Sequence, residues 1–562
     1  MLMIRRKKQL CIVFLLLLFM FGISFLYEEK IDKEFNQTSY QENVELAIYL
    51  NDEETNSIPS KDSGYYYDRE KSTCSNGAYI NWDSVSWSPV VNNMSEYKTR
   101  CEIHFTTTYT EGILNGADPV LKDELVPITI ENNGTVKKAD LESEWYSYAN
   151  KNWANAVILF DENETYENGE VIPEEKIESY FVWIPKYRYQ LWDLGQYDSL
   201  TAIDESKAHE IPIIFGDYNT SDNVAGECTT PMESGATGNC QVGDYMTHPA
   251  FLSIPSTGFW VGKFETGYSD ATTSTETEQN VNDASKVIIK PNTYSWKGIQ
   301  VANAFYTSYN YQRDLDSHMM KNTEWGAVAY LQHSAYGSET NLRMNNNSSF
   351  LTGAQANNEP TCGYTGTSEE CNKYCNDGTC NTSYPNSVLA STTGNISGIY
   401  DMSGGSWEYI MGVMLDEEGN PISGRNSMYN SGFNGTFGCP TCDGDTSGLT
   451  ELTDGYSWPD SKYYDMYVYA TNDRQYNRRI LGDATGEAGP MYSLTYMSTT
   501  RNISSWYLDH AYFIMYARPF VLRGGAPNYG TESGIFAYGN SDSSVKSWAS
   551  FRLVLTPTRG TT

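Results

Sequence analysis

Cysteine is the residue type whose absence says most about this chain. No cysteine follows Cys442 in a sequence of 562 residues. Chemistry that needs a thiolate, as a nucleophile or as a ligand for a soft metal ion, is therefore not available from the C-terminal region. The sequence predicts that this region binds a ligand and does not catalyse a reaction.

Positive charge is also scarce. The chain has 38 Lys and Arg residues against 71 Asp and Glu residues, which gives a net charge of −33. Such a field repels a phosphate backbone, and no basic patch or RNA-binding aromatic motif offsets it. Nucleic acid is excluded as the expected partner. The acidity suits a solvated extracellular surface that attracts divalent cations or basic partners.

Long apolar runs are limited to one, at the N-terminus. The basic stretch Arg5–Lys8 precedes an uncharged run from Gln9 to Tyr27. Because positive charge stays on the cytoplasmic side, residues 1–27 are predicted to be a transmembrane signal anchor with the bulk of the chain outside the cell. A cleavable signal peptide is the alternative, with Gly22 and Ser24 at the cleavage site. Either alternative predicts export.

Familiar catalytic motifs are missing as well. The chain has no GxSxG, Walker, HExxH or EF-hand sequence, and its six histidines include no His-x-x-x-His pair. His248 and His510 could serve as a base, but core or surface histidines are commoner. The carboxylates of 416–418 are typical of a solvated hairpin tip.

The cysteines that are present favour disulfides. Cys11 lies inside the apolar run, and the other ten are an even number in a compartment predicted to be oxidising. Proximity in the sequence predicts that Cys74 pairs with Cys101 and Cys228 with Cys240. The remaining predicted disulfide cysteines are Cys362, Cys371, Cys375, Cys380, Cys439 and Cys442.

Two groups among these cysteines have alternative interpretations. The four within 362–380 admit three disulfide pairings, and four thiols are also the number that a structural zinc ion needs. Their spacing matches no familiar zinc motif. Cys439 and Cys442 form a Cys-Pro-Thr-Cys turn in a Gly/Thr/Asp-rich segment. A structural clip is predicted there, and a redox pair is the alternative.

Composition divides the rest of the chain. Residues 28–63 are polar and acidic and are predicted to be a stalk, with a short helix near Val44–Leu50. Residues 64–110 alternate short apolar segments with turns, which predicts a small all-β sandwich. Residues 111–178 are predicted to be a connector that packs on the domain after it. The head domain is predicted to span residues 179–562.

Several motifs occur in order along the head. Phe259–Glu265 predicts a strand, and the spacing of apolar residues over Ile299–Tyr309 predicts a helix. A second helix is predicted at Asn322–Tyr330, where Asn322 or Thr323 caps the first turn and Glu324 faces the positive end of the helix dipole. Gly398–Tyr409 and the Arg-Gly-Gly sequence at 523–525 complete the series.

These motifs resemble, in sequence and order, those of the formylglycine-generating (sulfatase-modifying) enzyme family. The resemblance implies an α+β head with a variant of the C-type-lectin fold. Members carry two copper-binding cysteines shortly after their Arg-Gly-Gly, whereas Ala526–Tyr529 follow here. The resemblance also implies a calcium site in which Glu408 is a ligand. Gly405 replaces the family's asparagine, so calcium is expected to bind weakly or not at all.

The segment between Arg523 and Arg552 has the composition of a recognition surface, because it mixes aromatic anchors with small polar residues. It resembles the variable region of retroelement-diversified receptors with the same fold. A plain Gly/Ser loop is the alternative. Arg523 and Arg552 are expected to brace the backbone. The predicted ligand-binding residues are Trp506, Tyr512, Asn528, Tyr529, Phe536, Tyr538, Asn540 and Trp548.

The leading hypothesis is a membrane-anchored, extracytoplasmic binding protein of bacterial or prophage origin. Its lectin-like head would recognise a glycan or a protein through the 523–552 face. An exported enzyme of the same family with a rewired site is the first alternative. A structural surface or pilus-associated component is the second.

Overall fold

The computed structural model describes most of the chain from residue 118 onward and the backbone of several strands before it. The described residues are 118–192, 210–216, 243–254, 256–272, 279–342, 384, 388–416, 419, 431–433, 458–468, 480–485, 506–515, 518–525 and 533–557, with the backbone alone of Leu508 and of strands 40–51, 65–74, 79–81, 86–88, 99–111 and 227–228. Their contacts divide the chain into two units, residues 1–114 with 141–144 and residues 115–140 with 145–562.

Five strands of the first unit are among the described residues. They are β1 (Tyr40–Asn51), β2 (Tyr65–Cys74), β3 (Tyr79–Asn81), β4 (Ser86–Ser88) and β5 (Thr99–Glu111). β5 lies between β1 and β2 in an antiparallel three-stranded sheet, and β3 pairs with β4 in a hairpin. The predicted β structure is present, but as a sheet and a hairpin.

The helix predicted near Val44–Leu50 is wrong, because these residues belong to β1. Val44, Leu46 and Ile48 alternate with polar or small residues, which is the period of a strand. β1 pairs with β5 along almost its whole length. The predicted stalk therefore contributes a strand to the first unit.

The second unit contains the remaining strands. They are β6 (Val126–Ile130), β7 (Val136–Lys138), β8 (Asn155–Leu159), β9 (Ile177–Pro185), β10 (Tyr187–Gln190), β11 (Ile213–Phe215), β12 (Glu227–Cys228), β13 (Tyr245–Thr247), β14 (Gly258–Gly262), β15 (Gly267–Tyr268), β16 (Val287–Ile288), β17 (His318–Met319), β18 (Trp407–Leu415), β19 (Asp465–Val468), β20 (Phe520–Arg523), β21 (Tyr538–Ser541), β22 (Ala549–Phe551) and β23 (Leu553–Leu555).

An antiparallel seven-stranded sheet is the largest element of this unit, with the strand order β17-β23-β14-β9-β8-β6-β7. The side chains of β8 and β14 are buried on both faces, and so are nearly all those of β9. Three of the seven strands come from the predicted connector 111–178. The connector does pack on the head domain, but it is an integral part of the sheet. The second unit begins near residue 115 and not at residue 179.

A second sheet carries the motifs of the C-terminal region. β18 pairs with β19, β20 and β22, and β20 pairs with β21. All nine residues of β18 are buried. Two smaller sheets, β11-β10-β13-β12 and β15-β16, complete the β structure of the described residues. Together with two α-helices, this arrangement confirms the predicted α+β class.

The first helix, α1 (Val301–Tyr311), agrees with the predicted apolar periodicity. Ala302 and Phe305 are buried, and Tyr309 stacks on Phe305 with ring centroids 5.9 Å apart. Short 3-10 turns occur elsewhere, at Glu174–Lys176, Pro249–Phe251, Ala284–Lys286, Arg313–Leu315, Val388–Ala390, Ser461–Tyr463 and Trp506–Leu508.

The second helix, α2 (Asn322–Gln332), has every residue buried. Its N-cap is Lys321, one residue before the predicted caps, and the amide of Lys321 donates to Glu324 Oε2 at 2.8 Å. The carboxylate of Asp465 accepts from the Thr323 amide at 2.6 Å, so a strand distant in sequence supplies the cap. Gly326 is required, because a Cβ there would lie 1.9 Å from the carbonyl oxygen of Gly482.

A buried lysine connects the seven-stranded sheet to the segment before β18. Lys263 Nζ donates to Asn155 Oδ1 at 2.9 Å and to the carbonyl oxygens of Ile396 and Gly398, each at 2.7 Å. Three acceptors satisfy the three donors of an ammonium group. Burial lowers the pKa of Lys263 well below its usual value. The lysine of the Phe259–Glu265 motif is therefore an internal brace.

None of the described helices is both long enough and apolar enough to span a membrane. The predicted anchor, residues 1–27, lies outside the described residues.

Candidate functional site

The Arg-Gly-Gly sequence forms a turn at the end of β20. Gly524 and Gly525 have φ angles of 84° and 78°, in the left-handed region that favours glycine. The carbonyl oxygen of Gly524 accepts from the amide of Gly404 at 2.9 Å. A Cβ on Gly525 would lie 2.6 Å from Ser533 Oγ. The chain therefore leaves this turn at Gly525 and returns beside it at Ser533.

We expect Gly525→Ala to lower the free energy of unfolding by about 2–3 kcal/mol, because the methyl group adds both backbone strain and a clash with Ser533. Gly169→Ala is the matched control: its φ is 79°, but a Cβ there meets nothing within 4 Å. That control should lose only about 1 kcal/mol. Urea denaturation of both variants measures the difference, and equal losses would contradict the close approach.

Arg523 braces this turn from within the core, as the sequence predicts. Its guanidinium donates to the carbonyl oxygens of Ala484 and Ile535 at 3.3 Å. It also lies 5.6 Å from the ring centroid of Trp325 and 5.7 Å from that of Tyr538. Burial lowers the pKa of Arg523 to about 10, which leaves it charged at neutral pH. Arg523 has no exposed surface for a ligand.

An aromatic cluster lies next to the turn and is centred on Trp506. The Trp506 ring stacks on Trp192 with centroids 5.1 Å apart, and it contacts Phe536 at 5.1 Å and His333 at 4.9 Å. Trp192 is half-buried, whereas Trp506, Phe536 and His333 are buried. The cluster therefore has a packed interior and an accessible edge.

Tyr507 occupies that accessible edge in an unusual backbone conformation. Its φ is 58°, which is a genuine outlier for a bulky residue and costs about 1–3 kcal/mol. Its hydroxyl lies 3.3 Å from the carbonyl oxygen of Glu339 and 3.5 Å from Nδ1 of His333. The side chain is half-buried. Strain of this kind is often found at functional positions, and here it fixes how an aromatic ring is presented.

Described residues that are distant in sequence come together around the Arg523 turn and the Trp506 cluster. Ser403 Oγ lies 3.2 Å from the Leu342 carbonyl oxygen and 3.3 Å from that of Ser533. Trp192 and Trp506 stack on each other. These contacts and those of Arg523 join the described ends of segments 193–209, 343–383, 486–505 and 526–532. The Arg523 turn is thus a meeting point for segments that are distant in sequence.

The structure places the predicted ligand-binding residues in three different environments. Four of them lie in the core, which corrects the expectation of an exposed face; they are Phe536, Tyr538, Trp506 and Asn540, whose relative exposures are 0%, 1%, 2% and 8%. The half-buried residues are Tyr512 and Trp548. Asn528 and Tyr529 lie outside the described residues, between Gly525 and Ser533.

Tyr538 and Asn540 are buried because they belong to β21. All four residues of β21 are buried, because the strand pairs with β20 and the backbone at Ala511 bridges to Tyr538 on its other side. Asn540 Nδ2 donates to the Phe513 carbonyl oxygen at 2.6 Å, which satisfies a buried amide. Polar and aromatic residues in this strand therefore serve packing.

Glu408, the predicted calcium ligand, forms an internal ion pair instead. Its two carboxylate oxygens lie 2.6 and 2.9 Å from nitrogens of Arg552, and both side chains are fully buried. Arg552 also donates to the carbonyl oxygen of Gly262 at 2.8 Å. Since the guanidinium engages both oxygens, Glu408 does not fit the role of calcium ligand, and Arg552 is the brace that the sequence predicts.

Two further buried carboxylates lie beside this ion pair. Glu265 Oε1 accepts from the amide of Ser406 at 2.9 Å, and the amide of Glu265 lies 3.5 Å from Asp401 Oδ2. Burial raises the pKa of Glu265 well above its usual value, and burial raises the pKa of Asp401 to about 7 although Arg552 opposes the shift. Three carboxyl groups share one cation, so protons as well as Arg552 balance their charge.

Lys321 and Glu324 form a further buried ion pair. Lys321 Nζ contacts the exposed hydroxyl of Ser253, but it also lies 3.5 Å from Glu324 Oε1. Although burial opposes it, the charges of Lys321 and His318 lower the pKa of Glu324 to about 2. Lys321 Nζ therefore lies between the hydroxyl of Ser253 and the carboxylate of Glu324.

The histidines considered as bases are placed differently from each other. His248 is buried among aromatic rings, with Tyr189 at 5.4 Å and Tyr330 at 5.5 Å, and burial lowers its pKa to about 3. It is therefore neutral and enclosed. His510 is half-buried and contacts the Trp407 ring at 5.6 Å. Neither ring is placed in the cluster around Trp506.

Metal-binding side chains are not grouped in the part of the chain that the structure describes. No three His, Cys, Asp or Glu side chains lie there in a position to hold a metal ion. No described side chain is a cysteine, and copper(I) prefers thiolate ligands. The ten predicted disulfide cysteines have no described side chains, so their pairing stays a prediction.

The sequence missed Trp192 and His333 as members of the site. They come from segments far from Trp506, and no local pattern distinguishes them. No protein-family model and no curated protein matches this chain.

Proposed function

We propose that this chain is a membrane-anchored, extracytoplasmic binding protein whose lectin-like head recognises a glycan or a protein at the Arg523 turn. The observation that carries the proposal is the packing of residues that are distant in sequence: Trp192 stacks on Trp506, and Trp506 contacts Phe536. Ser403 contacts both Leu342 and Ser533 beside the same turn. Recognition sites are commonly built from residues that a rigid scaffold brings together. The turn itself is fixed by Arg523 and by two left-handed glycines.

Half-exposed aromatic residues at this place support recognition by contact. Trp192 and Tyr507 combine a large apolar ring with a polar group, at a low cost in side-chain entropy. Their orientation is fixed by Trp506 and by the left-handed backbone of Tyr507.

A binding measurement tests the proposal. The full chain is screened on glycan and protein arrays, and its Kd for the best ligand is measured. Trp192→Ala and Tyr507→Gly are each expected to weaken binding about tenfold or more, which corresponds to losing about 1.4 kcal/mol of contact energy. Tyr507→Gly should change stability by no more than about 1–2 kcal/mol, because glycine relieves the strain of a φ of 58° and this offsets part of the lost ring and hydroxyl contacts.

Phe160→Ala is the matched control, because Phe160 is an aromatic residue with 54% exposure at the end of β8, where its ring contacts Lys290. This variant should bind like the wild-type chain. Asn528→Ala and Tyr529→Ala, within the segment that joins Gly525 to Ser533, should weaken binding as well. Unchanged affinity in all four site variants, or no ligand on any array, would refute the proposal.

A further inference from the structure

Strands β2 and β5 of the first unit place two cysteines at the same register position. Cys74, the last residue of β2, is the direct antiparallel partner of Cys101 in β5. On the other side of β5, strand β1 places Leu50 opposite Cys101. Among the described strands of this unit, Cys74 and Cys101 are thus the one pair of cysteines that lie directly opposite each other.

The backbone geometry of two directly opposed residues in antiparallel strands suits a disulfide bond. Directly opposed residues of an antiparallel pair have Cα atoms about 4.5–5.5 Å apart. Disulfides need a Cα separation of about 4.4–6.8 Å. The strand register therefore satisfies the requirement without movement of the backbone. We propose that Cys74 and Cys101 form a disulfide bond that closes the end of this sheet.

The reaction is an exchange with an exported thiol oxidoreductase. The thiols of Cys74 and Cys101 lose two protons and two electrons as their sulfur atoms join. The disulfide of the oxidoreductase takes up the two electrons and two protons and becomes a dithiol. No other co-reactant is needed.

The register of β2 explains what the bond contributes. Asp68 pairs with His104 and Thr73 pairs with Glu102, so β2 advances five residues while β5 advances two. Only Thr73 and Cys74 are paired beyond this break. Because two residues form few ladder hydrogen bonds, this end of the sheet is held weakly. A disulfide fixes it and encloses residues 75–100, including the β3–β4 hairpin, in a covalent loop.

Peptide mapping of the full chain tests the bond. The purified protein is equilibrated in a glutathione buffer with the oxidised form in excess and is alkylated without reductant. Trypsin places the two cysteines on different peptides, 72–98 and 101–122. We expect these peptides to appear as one linked species that separates on reduction. Alkylation of both thiols before reduction, or a link from either cysteine to a different one, would overturn the proposal.

A second measurement distinguishes the bond from proximity alone. Limited trypsin treatment that cuts only after Lys98 should leave the wild-type fragments joined on a non-reducing gel. The Cys74→Ser/Cys101→Ser double variant should give separate fragments under the same conditions. Separate fragments from the oxidised wild-type chain would also overturn the proposal. Neither result depends on the ligand-binding function proposed above.

Discussion

Replacing Arg552 by methionine is expected to lower the free energy of unfolding by about 3–5 kcal/mol, because it leaves a buried carboxylate without its partner. Arg552 donates two hydrogen bonds to Glu408 and one to the carbonyl oxygen of Gly262, and it has no exposed surface. Glu265 and Asp401 lie in the same neighbourhood, so the cation balances more than one acid. Urea denaturation monitored by tryptophan fluorescence measures the loss.

A second substitution shows whether the unpaired charge of Glu408 causes the loss of stability. Glu408→Gln in the Arg552→Met background removes the orphaned charge, and it should recover part of the lost stability. Lys286→Met is the surface control: Lys286 pairs with Asp270 in a partly exposed ion pair, and its loss should cost less than about 1 kcal/mol. An Arg552→Met variant as stable as this control would contradict the role assigned to the buried pair.

Local patterns predicted several parts of this fold correctly. The period of Ala302, Phe305 and Tyr309 identified α1, because a helix that buries one face repeats its apolar residues at that interval. The interior roles of Arg523 and Arg552 were also predicted. Arg523 ends β20 and Arg552 lies between β22 and β23, and each side chain is long enough to reach backbone carbonyls of distant residues.

Long-range pairing limited the remaining predictions. Nothing local to residues 126–159 shows that β6, β7 and β8 extend the sheet of β9, so the sequence predicts a later start for the second unit than the structure has. The cap of α2 was misplaced for a similar reason, since Asp465 comes from β19. Contacts that join distant segments leave no local periodicity to detect.

The residues of the candidate site were equally hard to predict from the sequence. Phe536 and Tyr538 suggest a contact surface by composition, yet both side chains are buried. Tyr538 belongs to β21, a strand that is buried on both faces and therefore lacks the alternation that marks an exposed face. Trp192 and Tyr507 provide the accessible aromatic edge instead. Only the fold brings Trp192 next to Trp506, so composition alone could not identify the pair.

The buried acids also lead to an expected pH dependence of stability. Burial raises the pKa of Asp401 from 3.8 to about 7, with Glu408 adding to the shift and Arg552 opposing it. The folded state therefore keeps a proton on Asp401 that the unfolded state releases. The contribution of Asp401 to the free energy of unfolding is greatest below pH 4. It falls as the pH rises to 7, by about 4 kcal/mol for a pKa shift of this size.

Comparison with Asp401→Asn isolates this contribution. Asparagine is neutral, keeps an acceptor for the Glu265 amide, and tolerates the φ of 64° at this position. Groups such as Glu324, whose lowered pKa makes stability fall in acid, act equally in both proteins and cancel in the difference. Urea denaturation from pH 4 to 7 should show the wild-type chain losing about 4 kcal/mol relative to the variant. Parallel stability curves for the two proteins would mean that Asp401 is ionised in the folded core, with Arg552 alone balancing its charge.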